Sequence, residues 1–309
     1  MLKEQLFTYV HAWNELVGIE CQVCDSRVVR KGRLFVGTML ILMRHGQSMW
    51  NRDPNKPQFP WKYCGSLDIP LSEAGIRESM RAGRALREIP IDLVYCSMLV
   101  RAQTTTLIAL ASHEDGNAPL LVRDTPEDEK KMRGLRAHLA QMSETSYQTV
   151  LPVYCSHQLD ERSFGVLQGM YEAEQQRKFS KTDLRSFRRD WNTPFPGGES
   201  EAQVYDRTIA FFERHIRPQL VAGKNVLVCC HGFVVRALIA HILDLDPESY
   251  HEQMNLDLKK DPSSLLHSEN AIPRIFKYES KGDEDSYIDR GVFKDVTSSF
   301  PLDAMTSKL

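Results

Sequence analysis

Residues 39–51 read MLILMRHGQSMWN: five apolar residues run without a break into Arg44-His45-Gly46. A short apolar run that ends at a turn marks a strand buried on both faces. The same punctuation recurs in residues 226–232, VLVCCHG, which lead into a second His-Gly, and in residues 93–97, LVYCS, which end at a serine. Helical periodicity follows each run, over 72–88, 99–111 and 234–243. Strand, polar turn and helix in repetition predict an α/β fold, with a mostly parallel central sheet and helices on both faces in three layers. In such sheets ligands bind beyond the carboxyl ends of the strands, and both His-Gly pairs fall there.

The rest of the chain limits the function. It has 309 residues, with 39 Lys and Arg against 41 Asp and Glu. That balance argues against a nucleic-acid binder held by bulk charge. At 42% hydrophobic and 26% charged, the composition is that of an ordinary globular protein and excludes wholesale disorder. The longest apolar stretch, 35–43, is about half of what a membrane span needs. The first residues, MLKEQLFTYVHAWNELVG, intersperse polar with apolar positions and do not resemble a secretory signal. Seven cysteines are few and odd in number; Cys229 and Cys230 read as buried thiols. Cys21 and Cys24 form a single C-x-x-C pair, short of the about four ligands that zinc requires.

The expected organisation is an N-terminal extension over 1–38 and one domain over 39–309. Residues 112–158 interrupt the rhythm as a long insert, in which Met132, Leu135, Leu139 and Met142 recur at helical spacing. Residues 281–309 read as a flexible tail ending in Ser307-Lys308-Leu309. At a free C-terminus that tripeptide is the import address of peroxisomes, and of the related glycosomes, read by a receptor. The expected location is therefore a peroxisome or glycosome, with the import receptor as a partner.

Two imidazoles and at least two guanidiniums on one rim (Arg44, His45, His231, and Arg101 in SMLVRA) suit a phosphate dianion. Phosphoryl transfer is mostly positioning and charge neutralisation, and a neutral imidazole serves as nucleophile. The leaving alkoxide then needs a proton from a nearby carboxylic acid.

LILMRHGQSMWN, YCSMLVRAQTTTLIAL, LDERSFGVLQGM and VLVCCHGFVVRALI resemble the motifs of the histidine phosphatase superfamily, and most of all its cofactor-dependent phosphoglycerate mutases. The resemblance covers residues 39 to 279 in family order. It implies that His45 becomes the phosphohistidine, that Arg44, Arg101 and His231 hold the transferring phosphoryl group, and that Glu161 donates and accepts the proton. It further implies substrate-facing roles for Ser48, Asn51, Cys64, Gly65, Phe164, Gly232 and Phe233. Arg188 and Arg189 match the arginine pair that mutases set against the far anionic end of their substrate. No metal is implied. A small phosphorylated metabolite is the expected substrate, with 2,3-bisphosphoglycerate as primer in a mutase, and pairing into a homodimer is a family habit.

The departures from the mutase pattern are chemical. Cys64 stands where mutases have Thr, Phe164 where they have Tyr, Phe233 where they have Asn, and Glu172 where they have Lys. Each removes a polar or cationic contact to a small charged substrate. PFPGGES, residues 194–200, resembles the phosphatase branch. Two enzymes are thus expected: first a mutase interconverting 3- and 2-phosphoglycerate, and as its alternative a phosphatase that gives the phosphoryl group to water. A silent phospho-ligand scaffold is disfavoured by the intact set of Arg44, His45, Arg101, Glu161 and His231.

Overall fold

The computed structural model describes residues 37–51, 61–87, 89–113, 118–123, 150–258, 264–280 and 291–300. All of them belong to the unit Gly37–Leu309. The readings made for 1–36, for Cys21 and Cys24, for the Met132–Met142 helix and for Ser307-Lys308-Leu309 lie outside the described residues. Among those described, no helix is long and apolar enough to cross a membrane.

Seven strands form one sheet: β1 (Thr38–Arg44), β2 (Leu93–Ser97), β3 (Ala118–Arg123), β4 (Val150–Ser156), β5 (Val226–Cys230), β6 (Pro273–Glu279) and β7 (Val292–Asp295). Their order is β3-β4-β2-β5-β1-β6-β7. The first five strands are parallel, and β6 and β7 add on antiparallel beside β1. β1 and β5 lie side by side, with Arg44 opposite Cys230, so both His-Gly turns leave the sheet at neighbouring strand ends.

Helices cover both faces. Leu40, Leu42, Leu93, Tyr95, Val226 and Val228 alternate onto one face. They meet α5 (Glu201–Phe211), a π turn (Phe212–Ile216), α6 (Arg217–Val221), α7 (Gly232–Ile242) and α8 (Pro247–Leu258). The intervening residues point to the other face, where Cys229 and Cys96 touch Ala102 and Thr106 of α2 (Val100–Ala111). α1 (Glu73–Leu86) packs on α2 and is capped by Ser72, whose hydroxyl accepts from Gly75 N at 3.2 Å. The short α3 (Glu172–Lys178) and α4 (Lys181–Arg189) follow β4. Cys229 and Cys230 are free and buried.

Two expectations are corrected. Residues 112–158 do not simply interrupt the sheet: their ends supply β3 and β4. Pro119 and Pro152 mask these strands, since proline donates no ladder bond. β3 is an edge strand, and Pro152 lies outside the part of β4 that pairs with β2, Val153 to Ser156. Likewise 281–309 is not wholly tail, because residues 292–295 form β7 on β6. Phe293 packs on Tyr278, with ring centroids 5.1 Å apart, and Phe300 is buried. The shortness and exposure of this four-residue edge strand, VFKD, hide it in the sequence.

Candidate active site

His45 follows β1 directly, and its backbone N–H still bonds Cys230 O across the sheet at 2.9 Å. Gly46 is required by what comes next. A Cβ there would stand 2.5 Å from Gly75 O, and one on Gly75 would stand 2.1 Å from Gln47 O. Only two glycines let the His-Gly turn press onto the start of α1. Thr105 Oγ1 of α2 accepts from Gly46 N at 2.9 Å, and Asn270 Nδ2 donates to His45 O at 2.7 Å. The backbone of His45 and Gly46 is thus pinned from three sides.

The ring is pinned as well. His45 Nδ1 lies 2.7 Å from Gly46 O, and since a carbonyl only accepts, the proton is on Nδ1. Nε2 therefore carries the lone pair, and Arg101 Nε donates to it at 3.3 Å. His45 is 2% exposed. Burial, then the Arg101 and Arg44 guanidiniums, hold its pKa well below the usual 6.5, so it stays neutral at physiological pH.

Arg101, in the first turn of α2, is held by carbonyls of the preceding loop: Nη1 donates to Leu67 O and Nη2 to Gly65 O, each at 2.7 Å. Gly65 makes this loop possible with φ +51°, a conformation that other residues rarely adopt. Arg44 extends from the end of β1 and donates from Nη1 to Ser268 O at 3.3 Å.

His231 opens α7, and its ring centroid lies 5.0 Å from that of His45. Its Nε2 is 2.7 Å from Ser97 Oγ at the end of β2, while Nδ1 is buried with no partner. Burial first, then Arg101, His45, Arg44 and Arg207, depress its pKa well below 6.5. Glu161, 9% exposed, meets the start of α7. Its Oε2 accepts from Gly232 N and its Oε1 from Phe233 N, each at 3.2 Å, and Oε1 also accepts from Arg162 N at 3.1 Å. The N-terminal turn of the helix offers these orphan donors to a carboxylate.

These groups border one cleft of about 210 Å³. Arg44, His45, Arg101, Glu161, Asn51, Cys64, Gly65, Phe164, Gly232 and Phe233 all line it. Ser48 stands behind that lining at 1% exposure, its hydroxyl donating to Asn51 Oδ1 at 2.9 Å and lying 3.4 Å from Cys64 Sγ. His231 also stands behind it, next to His45. Arg188 and Arg189 are not brought into the lining. Arg188 lies over the Tyr63 ring at 5.5 Å and donates to Gln175 Oε1 at 3.1 Å, while Arg189 is exposed at the end of α4.

Sequence reasoning missed several neighbours. Trp50, Trp61, Lys62, Tyr63 and Arg236 also line the cleft. The WKY run beside Cys64-Gly65 signals the first wall. Arg236 follows from helical spacing, one turn beyond Phe233. Asn270 gives no signal, being 225 residues from the carbonyl it holds.

Comparison with known proteins gives the family and the fold. Residues 40–125 and 137–260 match the family described as the histidine phosphatase superfamily, branch 1. The 2,3-bisphosphoglycerate-dependent phosphoglycerate mutase of Chlamydia pneumoniae is 37% identical over 220 residues, covering 71% of this chain and 89% of that protein. The corresponding mutase 1 of Arabidopsis thaliana is 34% identical over 219 residues, a match spanning 71% of this chain but only 61% of the relative. Among solved structures, mycobacterial glucosyl-3-phosphoglycerate phosphatase superposes with a TM-score of 0.54 at 19% identity, covering 84% of this chain and 96% of its own. The alpha-ribazole phosphatase of Shigella flexneri gives 0.52 at 21%, covering 78% and 90%. At such identities the structural likeness speaks to fold. With more than half of its length matched by the family, the chain belongs to the histidine phosphatase superfamily and is an enzyme of that superfamily.

Proposed function

We propose that the protein moves a phosphoryl group from a small phosphomonoester onto His45 and then gives it to water. The observation that carries this reading is the tautomer of His45. Its Nδ1–H is tied to Gly46 O, which leaves the Nε2 lone pair beside Arg101. In the first half-reaction Nε2 attacks phosphorus, the P–O ester bond breaks, and Glu161 gives its proton to the departing alkoxide. In the second, Glu161 takes a proton from water as the water oxygen attacks phosphorus and the P–N bond breaks. Arg44 and Arg101 neutralise the charge on the equatorial oxygens in both steps.

Water as acceptor is supported by the position of Arg188 and Arg189, while Lys62 and Arg236 of the lining lie against Trp50 and Phe233. A mutase must hold the far anionic group of a phosphoglycerate through rephosphorylation, yet Arg188 and Arg189 are not among the lining residues. The second reading, a mutase primed by 2,3-bisphosphoglycerate, is favoured by the 37% identity to the Chlamydia pneumoniae relative. One assay separates them: 3-phosphoglycerate with and without 2,3-bisphosphoglycerate, following 2-phosphoglycerate and free phosphate together. Free phosphate without isomer is expected. Isomer formation that depends on the bisphosphate would establish the mutase instead.

Import into a peroxisome or glycosome through Ser307-Lys308-Leu309 is part of the same proposal. Deleting Leu309 is expected to leave a tagged protein in the cytosol; unchanged organellar import would refute the address.

A further inference from the structure

Three residues that set this chain apart from the mutase pattern, Cys64, Phe164 and Phe233, come from distant parts of the sequence and line the same cleft. Trp50, Trp61 and Tyr63 extend that wall. Their rings are locked in mutual contact: Tyr63 on Phe164 at 4.5 Å, Trp61 edge-on to Tyr63 at 4.8 Å, and Phe164 edge-on to Phe233 at 6.0 Å. The Arg162 and Arg236 guanidiniums lie against the Phe233 ring, at 5.2 and 5.1 Å from its centroid. Lys62 lies over Trp50 at 5.0 Å and over Tyr171 at 4.2 Å. The phosphate end is built from charge, and the wall beyond it from aromatic rings with cations laid against them.

Such a wall suits one kind of leaving group. A polyol laid against it loses water and gains few hydrogen bonds, and a carboxylate meets only Lys62 and Arg236, whose charges already lie against Trp50 and Phe233. A flat ring gains both apolar burial and edge-to-face contact with fixed aromatic partners, at little conformational cost. Resting on the phosphohistidine hydrolase reading, we infer that the substrate is a phosphomonoester whose alcohol carries a flat aromatic or heteroaromatic ring, seated against Phe164, Phe233 and Trp50.

The test compares kcat/KM for 2-phenylethyl phosphate and glycerol 3-phosphate. Both are esters of primary alkyl alcohols, so leaving-group basicity does not set the ratio. The same reactions are quenched in alkali and assayed for phosphohistidine. A preference of tenfold or more for the ring is expected, equivalent to about 1.4 kcal/mol. In the double variant Phe164→Tyr with Phe233→Asn the ratio should contract to below threefold. The wild-type ratio decides the matter alone if that variant does not fold. Phosphohistidine from both esters with a ratio within twofold of unity would overturn the inference and leave the hydrolase reading standing. Absence of phosphohistidine with both esters would overturn both.

Discussion

Ser97 Oγ stands between His231 Nε2, at 2.7 Å, and Asp160 Oδ1, at 2.6 Å, and its one proton goes to the carboxylate. Ser97 must then accept from His231, which places the imidazole proton on Nε2 and leaves Nδ1 as a bare, buried lone pair. Asp160 is anchored on its other oxygen by His157 Nδ1 at 2.9 Å and also accepts from Met98 N at 2.8 Å. The histidine beside His45 is thus oriented by Ser97 and, through it, by Asp160.

A bare Nδ1 repels a phosphate dianion, so His231 meets such a ligand only by gaining a proton. Burial and the cations Arg101, Arg44 and Arg207 oppose that proton, whereas the ligand's charge and Asp160 through Ser97 favour it. Titration calorimetry with inorganic phosphate near pH 7, in buffers of different ionisation enthalpy, should show proton uptake by the wild type. In Asp160→Asn phosphate affinity should fall about tenfold, on the order of 1.4 kcal/mol, with the uptake reduced. Binding without uptake in the wild type would remove His231 from the phosphate site.

Acid should destabilise the protein through the same two histidines. Both have native pKa values well below 6.5, so as pH falls under 6.5 the unfolded chain takes up protons that the folded one refuses. Stability contributed by each buried neutral ring is complete above pH 6.5 and is lost below it, by up to about 1.4 kcal/mol per pH unit and per histidine. Thermal melts between pH 7.5 and 5 should show a falling Tm that is partly flattened in His45→Asn. A Tm insensitive to pH across that range would contradict the buried neutral state.

Arg101→Lys keeps the charge but forfeits the fork that joins Gly65 O, Leu67 O and His45 Nε2. Loss of about 100-fold in kcat/KM is expected, on the order of 2.7 kcal/mol of transition-state stabilisation. Near-normal turnover would mean that charge alone, and not the held geometry, is what the site needs.

Asn270→Ala removes the donor to His45 O without touching the cleft. As a positioning residue it should lower kcat several-fold with KM nearly unchanged. A rise in KM alone would instead place Asn270 in ground-state binding.

What the sequence discloses depends on whether one segment carries its own signal. β1, β5 and the turns after them are legible because continuous apolar runs stop abruptly at His-Gly, and a parallel sheet brings strand ends together. α7 begins at Gly232, two residues before its apolar periodicity suggests, because the helix starts in the turn that also serves Glu161. β3, β4 and β7 are hidden by Pro119, Pro152 and the shortness of an exposed edge strand. Within the site, the residues embedded in motifs are found, and those expected to face phosphate line the cleft, except Ser48 and His231, which stand behind it. The basic pair Arg188-Arg189 shows the limit: a motif fixes chain position, but the direction of a helix face comes only from packing, here against Tyr63 and Gln175.

The central claim is that Nε2 of His45 accepts the phosphoryl group. Rapid-quench labelling with a 32P-phosphomonoester tests it, with the protein held in alkali and then shifted to acid. The account predicts label that is alkali-stable and acid-labile, maps to the peptide containing residues 44–51, and is absent in His45→Ala. Acid-labile label retained by His45→Ala, or none formed by a wild type that is turning over, would contradict it.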